Sequence, residues 1–388
     1  MAALGLLYRF EHNQAYKRCF MARAIWSEKN RRRHLQLASG IMCNLDDTIQ
    51  SKPYQLRKIQ ALILLVIFAS WGNRRLRPDA VSMAGERAML VRQHGISEVE
   101  EDTSLADWAT WAASEERRRT IFAAYILSCL HNITFGTPPV ILNREINLRL
   151  PDYAQPQIYL HHHSSGGGQP PASVEAFETA LRAWQVSWER THEPALDPLS
   201  SKASFGLSPA ALLRLACIRL NFKAGDCRGV LWGDLTIINK NPILDRSLHV
   251  ERAVLYTAHA LSVPARLGIS YMANTKTSIW SVENSVCSLE SALLLNAWLG
   301  TISTVVRSAG IGALRPSEKI LLGIVTSIIK ETDYAEILYL PDDDASRYLH
   351  TAATIIKLWS RVFGGIHVLE IDDDVRSGLR FVADSVQS

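Results

Sequence analysis

The sequence lacks the closely spaced cysteine pairs that zinc-binding modules need. None of the six cysteines among its 388 residues stands in a C-x₂-C arrangement, the spacing from which structural zinc sites draw their ligands. The six are Cys19, Cys43, Cys129, Cys217, Cys227 and Cys287. Most lie in apolar helical stretches, where a reduced thiol packs as a small hydrophobic side chain. We therefore predict core cysteines in a reducing compartment, and no metal or other cofactor.

Continuous apolar runs long enough to span a bilayer are also missing. The longest ones, residues 61–71 and 292–306, are shorter than the ~20 residues that a spanning helix needs. Arg9 and Glu11 interrupt the apolar start of the chain before any cleavage pattern of a secretory signal. We predict two buried helices and no membrane partner.

No strong charge imbalance is present. Lys and Arg number 42 against 38 Asp and Glu, which gives a net charge of +4. A basic surface for nucleic acid would therefore have to come from clustering of charges and not from the overall balance.

Catalytic motifs are missing as well: phosphate loops, dinucleotide fingerprints, zincin helices and nucleophile elbows are all absent from the sequence. Asp46 and Asp47 approach the D-D-x-x-D spacing of Mg²⁺-dependent helical synthases but lack its last carboxylate. The aspartate triplets at 342–344 and 372–374 lack it too, and we expect them to cap helices. Three adjacent histidines at 161–163, with no carboxylate or cysteine nearby, do not form a designed metal site. An enzyme is thus the less favoured interpretation.

The sequence is rich in apolar residues at helical spacing. Apolar residues recur every three or four positions almost throughout, and only residues 366–371 suggest a strand. The sequence predicts an all-α fold, a large multi-helix body. Residues 1–153 would form an N-terminal helical part, residues 154–172, rich in Gly, Ser and Pro, a loop or linker, and residues 173–388 a C-terminal helical part opened by Ser173 as a cap.

The most distinctive stretch is SEERRRTIFAAYILSCLHNITFGTPP at 114–139. Glu115 precedes Arg118 by three residues and Arg119 by four, the favourable order for an ion pair on a helix. A helix that reads DNA would carry several exposed basic and amide groups on one face, without the apolar run that follows here. We interpret Glu115, Arg118 and Arg119 as a structural ion pair at a helix–helix contact.

A second basic cluster, Lys29, Arg31, Arg32 and Arg33, has two equal interpretations. It fits a nuclear localisation patch, and it fits the solvated end of a helix.

Candidates for a ligand pocket lie along the arginine-led helix. Lone histidines are more often hydrogen-bonded core residues than acid–base groups. His131 is nevertheless the first candidate, because Trp108, Trp111 and Tyr125 supply aromatic surface on the same helix.

These residues also carry a resemblance to a known family. The pattern combines WATW at 108–111, Glu115, RRT at 118–120, Phe122, GTPP at 136–139, Ile146 and LP at 150–151. It resembles the fungal-specific transcription factor domain, the regulatory middle homology region of fungal zinc-finger transcription factors. Residues 56–96, 275–299 and 359–372 resemble other parts of the same domain.

The resemblance implies transcriptional regulation in the nucleus. The expected targets are a pathway-specific gene set, such as a secondary-metabolite cluster. Because the finger cysteines of such proteins are missing, it implies DNA contact through a partner transcription factor, a homodimer mate or a missing segment. A small-molecule effector is a further expected partner. The alternative is a repurposed helical protein that binds a small molecule or catalyses a metal-independent biosynthetic step.

Overall fold

The computed structural model describes ten stretches of the chain, namely residues 12–38, 52–96, 107–148, 171–189, 203–222, 227–232, 243–275, 282–339, 343–365 and 367–387. All regular secondary structure within these stretches is helical, so the prediction of an all-α fold is confirmed. The chain divides into two compact units, Met1–Ser165 with Val368–Glu370 and Gly166–His367 with Ile371–Ser388. Most of the loop predicted at 154–172 lies outside the described residues.

The first unit contains four described α-helices. They are α1 (His12–Ala38), α2 (Lys52–Ile67), α3 (Arg77–Gln93) and α4 (Trp108–Phe135). Helix α2 packs against the other three. Its fully buried residues Ile59, Leu62 and Val66 follow one another at intervals of three and four, the spacing that places side chains on one helix face.

Helix α4 has an exposed first half and a buried second half. Asp107 caps its start by accepting a hydrogen bond from the backbone of Thr110 at 2.7 Å, and Gly136 ends it with a positive φ of 68°. Nearly all side chains from Thr120 to Phe135 are buried, whereas Trp108 is 76% exposed. The first turns of α4 therefore lie outside the buried core.

A turn of π-helix follows α2 at Phe68–Gly72, and all five of its residues are buried. Its wider hydrogen-bond ring leaves backbone carbonyls free for other partners, and such turns are frequent at functional sites. The sequence FASWG carries no local signal for this conformation, and we did not predict it.

The second unit contains the remaining helices. They are α5 (Pro171–Glu189), α6 (Ala203–Asn221), α7 (Cys227–Trp232), α8 (Leu248–Leu267), α9 (Ile269–Thr275), α10 (Val282–Ala309), α11 (Pro316–Lys330), α12 (Asp344–Val362) and α13 (Glu370–Gln387). The first residue of α13, Glu370, is assigned to the first unit. Helix α10 is central because it packs against α12, α6 and α8. Most of its residues are buried, which explains why apolar residues occupy every side of it.

Two helices in the described part could cross a bilayer by length and composition alone. They are Pro53–Gly72 and Val282–Ala309. Our expectation of insufficient length is corrected here, because these helices extend beyond the apolar runs. Their apolar windows are 56% and 78% buried inside the protein, as expected of core helices, and such helices are weak evidence for a membrane span.

Three local predictions need correction. The strand suggested at 366–371 does not form in the described part, since residues 367–369 are irregular and α13 begins at Glu370. The aspartates at 372–374 therefore lie inside the first turns of α13 instead of preceding it. Helix α5 begins at Pro171, two residues before the predicted cap Ser173.

Candidate functional site

The π-turn after α2 belongs to a buried cluster in the first unit. We call Ser70, Trp71, Arg77, His131 and Phe135 the π-turn cluster. The Ser70 hydroxyl and His131 Nε2 lie 2.6 Å apart, and the His131 ring meets Trp71 and Phe135 edge-on at centroid distances of 5.8 and 5.6 Å. Arg77 Nε donates to the Ser70 carbonyl at 3.1 Å. Two helices and the π-turn are thus joined by polar contacts within an apolar core.

Serine beside histidine is an arrangement that nucleophilic catalysis uses, but this pair is not suited to it. Ser70 is 0% and His131 2% exposed, so no substrate reaches either group. The Ser70 hydroxyl also donates to the Val66 carbonyl at 2.6 Å, which leaves His131 Nε2 as the donor to Ser70. Burial, helped by the charge of Arg87, lowers the pKa of His131 to about 3, far below that of an efficient general base near neutral pH.

Arg87 lies wholly within the same unit's core. Its Nη2 donates to the Ser128 hydroxyl at 2.8 Å, and Ser128 donates in turn to the Ala124 carbonyl. Burial lowers the pKa of Arg87 to about 10, so the guanidinium remains cationic near neutral pH. The nearby thiol of Cys129 has its pKa raised by burial to about 12 and stays protonated.

The structure does not bring the four predicted pocket residues together. Trp108 and Trp111 stack on each other at 4.8 Å in the exposed first turn of α4. His131 follows Trp111 by twenty residues, about 30 Å along the helix at 1.5 Å per residue. Tyr125 is fully buried, and burial raises its pKa. His131 and Tyr125 are core residues, and the tryptophans form a separate surface feature.

The three charged residues predicted to pair do lie in contact. Glu115 accepts from Arg118 Nη1 at 2.5 Å and from Arg119 Nε at 2.6 Å. The Arg119 side chain is 66% exposed while those of Glu115 and Arg118 are 13% and 16% exposed. The cluster lies at the edge of the unit. Arg117, the first arginine of the run, donates to the Gly95 carbonyl at 2.6 Å, beside the end of α3.

The other predicted residues divide between described and undescribed parts. Helix α1 covers Lys29 and Arg31 to Arg33, but their side chains lie outside the described part. Asp343 caps α12 as expected, by accepting from the backbone of Ser346 at 3.0 Å. Four predicted core thiols, Cys19, Cys129, Cys217 and Cys287, are buried and free, which confirms that part of the cysteine prediction.

The second unit has a partly open cavity of about 210 Å³ between α5, α6 and α8. We call it the α5–α8 cavity. It is lined by Glu178, Leu181, Arg182, Cys217, Asn221, Arg252, Leu255 and Tyr256. It therefore combines three charged side chains with a largely apolar lining, the usual composition of small-molecule sites.

Glu178 organises the charged side of this cavity. It accepts from Arg252 Nη1 at 2.6 Å and from Arg182 Nη2 at 3.1 Å, and His249 Nδ1 lies 3.4 Å from its other oxygen. Burial alone would raise the pKa of Glu178. The hydrogen bond from His249 and the charge of Arg252 outweigh burial, and its pKa lies below the usual range. Glu178 is therefore ionised at neutral pH.

Comparison with known proteins gives two family matches. The family model described as "Fungal specific transcription factor domain" matches residues 1–160, and the one described as "Fungal transcription factor C-terminal domain" matches residues 234–381. Together they cover about four-fifths of the chain. The chain therefore carries two domains found in fungal transcription factors. The resemblance found in the sequence is confirmed, and this domain content supports a transcriptional regulator.

One curated relative is a Schizosaccharomyces pombe protein described as an uncharacterized transcriptional regulatory protein. The two proteins are 29% identical over 99 residues, which is 26% of this chain and 16% of the relative. The match thus spans about a sixth of the relative's length. No solved structure matches this chain significantly.

The sequence did not indicate the α5–α8 cavity. Glu178, Cys217 and Arg252 come from three helices, more than thirty positions apart from one helix to the next. Glu178 and Arg182 are four residues apart on α5, so their pairing was visible as a helical ion pair. Nothing in that local pattern indicates that α6 and α8 enclose a cavity beside it.

Proposed function

We propose that this protein controls transcription of a pathway-specific gene set, such as a secondary-metabolite cluster, and that it does so in the nucleus. The observation that carries the proposal is the pair of domain matches, at residues 1–160 and 234–381. The relative in S. pombe, described as a transcriptional regulatory protein, supports the same class of function.

In the proposed mechanism the helical body receives regulatory input, from a protein or a small molecule. DNA contact comes from a partner transcription factor, a second copy of the chain or a segment outside these residues. The absence of C-x₂-C pairs from the 388 residues supports this division. So does the arginine run of α4, because Arg118 and Arg119 are held by Glu115 and Arg117 binds a backbone carbonyl.

Nuclear localisation is supported by the family and by the basic cluster of Lys29, Arg31, Arg32 and Arg33 on α1. Clusters of this kind are typical of nuclear import signals. The solvated helix end remains the competing explanation.

The proposal is tested by comparing transcripts, metabolites and a fluorescent fusion in cells with and without the gene. We expect a defined set of transcripts to rise or fall together, and the fusion to accumulate in the nucleus. Replacing Lys29, Arg31, Arg32 and Arg33 by Gln should reduce that accumulation. A transcript profile unchanged by deletion would contradict the proposal.

A second candidate function, binding or conversion of a small molecule by a repurposed helical protein, is favoured by the α5–α8 cavity. The same experiment separates it from the first. Loss of one metabolite and accumulation of its precursor, with transcripts unchanged, would support the enzyme.

A further inference from the structure

We propose that the α5–α8 cavity binds a small amphipathic carboxylate, with the anionic group on Arg182 and Arg252 and the apolar body against Leu181, Leu255 and Tyr256. Its meaning as an effector site rests on the proposed function, whereas the binding itself does not. The inference comes from the charge, the available donors and the shape of the cavity.

The charge of the lining favours an anion. Arg182 and Arg252 contribute two positive charges and Glu178 one negative charge, so the cavity carries a surplus of +1 when His249 is neutral. A carboxylate would neutralise this surplus. A cationic ligand would add to it, and the aliphatic lining offers no compensation for the charge of an ammonium group.

The two arginines have donors to spare. Among the described residues, each guanidinium hydrogen-bonds only to Glu178 and uses a single nitrogen, Arg182 Nη2 or Arg252 Nη1. A guanidinium has five N–H donors in a planar fork that matches a carboxylate. The side chains are 56% and 39% exposed, so a ligand can reach these donors while Glu178 keeps both arginines in place.

The remaining lining is apolar or neutral. Leu181 is buried on α5, and Leu255 and Tyr256 lie one turn after Arg252 on α8. Burial raises the pKa of the Cys217 thiol to about 12, so this side chain presents a neutral sulfhydryl and not a thiolate. An aliphatic or aromatic body suits such a surface.

Size gives the scale of the ligand. A volume of about 210 Å³ is roughly that of seven water molecules at ~30 Å³ each. A six-carbon fatty acid is of this order of size. Because the cavity is partly open, a longer ligand would extend out of it.

The test uses the full 388-residue chain and three probes of one size and different charge: hexanoate, hexanol and hexylamine. Binding is measured by calorimetry and by the shift in thermal unfolding midpoint. We expect hexanoate to bind and stabilise, hexanol to bind at least about tenfold more weakly and hexylamine not to bind. Equal effects of all three probes, or no effect of hexanoate, would overturn the proposal.

Two variants locate the site. Arg252→Gln removes one fork and should weaken hexanoate binding about tenfold or more, whereas Arg266→Gln should leave it unchanged. Arg266 is the matched control because it lies on the same helix, is 74% exposed and has its ion pair with Glu331 at 3.9 Å. If Arg252→Gln fails to fold, Arg182→Gln is the second variant. Hexanoate binding that survives loss of either arginine would contradict the assignment.

The proposed function and this site can fail separately. A coordinated transcript response to gene deletion with no hexanoate binding would overturn the site and leave the regulator. Hexanoate binding without any transcript response would retain the site and remove its regulatory meaning.

Discussion

At the scale of single residues, the second unit stabilises a buried carboxylate with arginines from other segments. Glu318 on α11 is 1% exposed. It accepts from Arg246 Nε at 2.8 Å and Nη2 at 2.6 Å, and from the Arg315 backbone at 2.8 Å. Arg315 also pairs with Glu251 on α8 at 2.7 Å. This network joins the segment before α8, helix α8 itself and the start of α11.

The stability of the second unit should depend on pH through Glu318. Burial alone would raise the pKa of this group, but hydrogen bonds from Arg246 and Arg315 outweigh burial and lower it to about 2 from 4.5. Because the folded pKa lies below the unfolded one, the stabilisation is fully present above pH ~4.5 and is lost as the pH falls towards about 2. Its size is at most about 3.5 kcal/mol at ~1.4 kcal/mol per pKa unit.

Glu318→Gln should therefore lower the free energy of unfolding by about 2–3 kcal/mol near neutral pH and by less in acid. Urea unfolding followed by circular dichroism at several pH values measures both effects. Glu336→Gln, at an exposed position in the same unit, is the control and should change little. A midpoint for Glu318→Gln equal to that of the wild type across the pH range would show that the network contributes nothing.

At the scale of helices, the periodicity of apolar residues correctly predicted those features that depend on the local sequence. The helical class, the burial of four cysteines and the cap at Asp343 follow from residue spacing and from the chemistry of helix ends. The buried helix α10 followed from composition in the same way. These features need no knowledge of which helix packs against which.

The features that failed depend on tertiary contacts. Trp108 continues the apolar spacing of α4 but lies where that helix extends beyond the core. Its exposure could therefore not be predicted from the sequence pattern of α4 alone. The π-turn at Phe68–Gly72 is stabilised by contacts of Ser70 with His131 and Arg77, 61 and 7 residues away. The segment 366–371 has strand-like composition, yet it meets no partner strand among the described residues, and its end joins α13.

One helix contact places a strict size limit on a side chain. Gly378 on α13 approaches Val230 on α7 so closely that a Cβ at Gly378 would lie 2.1 Å from Val230 Cγ1 and 3.2 Å from its Cβ. Val230 is 1% exposed. Rotation of the valine could move its Cγ1 away, but its Cβ would still lie at 3.2 Å, so one of the two helices would also have to shift by a few tenths of an ångström.

Gly378→Ala should therefore destabilise the second unit by about 1–3 kcal/mol, the usual cost of overpacking. Gly323→Ala on α11 is the matched control, since nothing lies within 4 Å of its new Cβ, and it should be neutral or stabilising by up to about 1 kcal/mol. Combining Gly378→Ala with Val230→Ala should recover part of the loss. Equal unfolding midpoints for the two glycine variants would refute the close approach.

At the scale of the whole molecule, each of the two units has its own buried core. The match at residues 1–160 falls in the first unit, and the match at residues 234–381 falls in the second unit apart from Val368–Glu370. The charge of the chain is nearly balanced at +4, and several of its arginines are committed to protein contacts. Arg77 and Arg87 are fully buried, and Arg219 pairs with Glu290 between α6 and α10. The charges of these three arginines are thus used inside the protein and are not available to DNA.

The purified chain should accordingly bind DNA only weakly and without sequence preference. Non-specific complexes have dissociation constants of roughly 10⁻⁴–10⁻⁶ M at physiological salt, whereas specific ones reach about 10⁻⁸–10⁻¹¹ M. Fluorescence anisotropy can measure both, with promoter fragments of the responding genes and scrambled duplexes of equal length and composition. We expect equal affinities for the two sets, and a preference for the promoter fragments only after the DNA-binding partner is added. Tight, selective binding by the chain alone would place the DNA contact within these 388 residues and overturn the division of roles between body and partner.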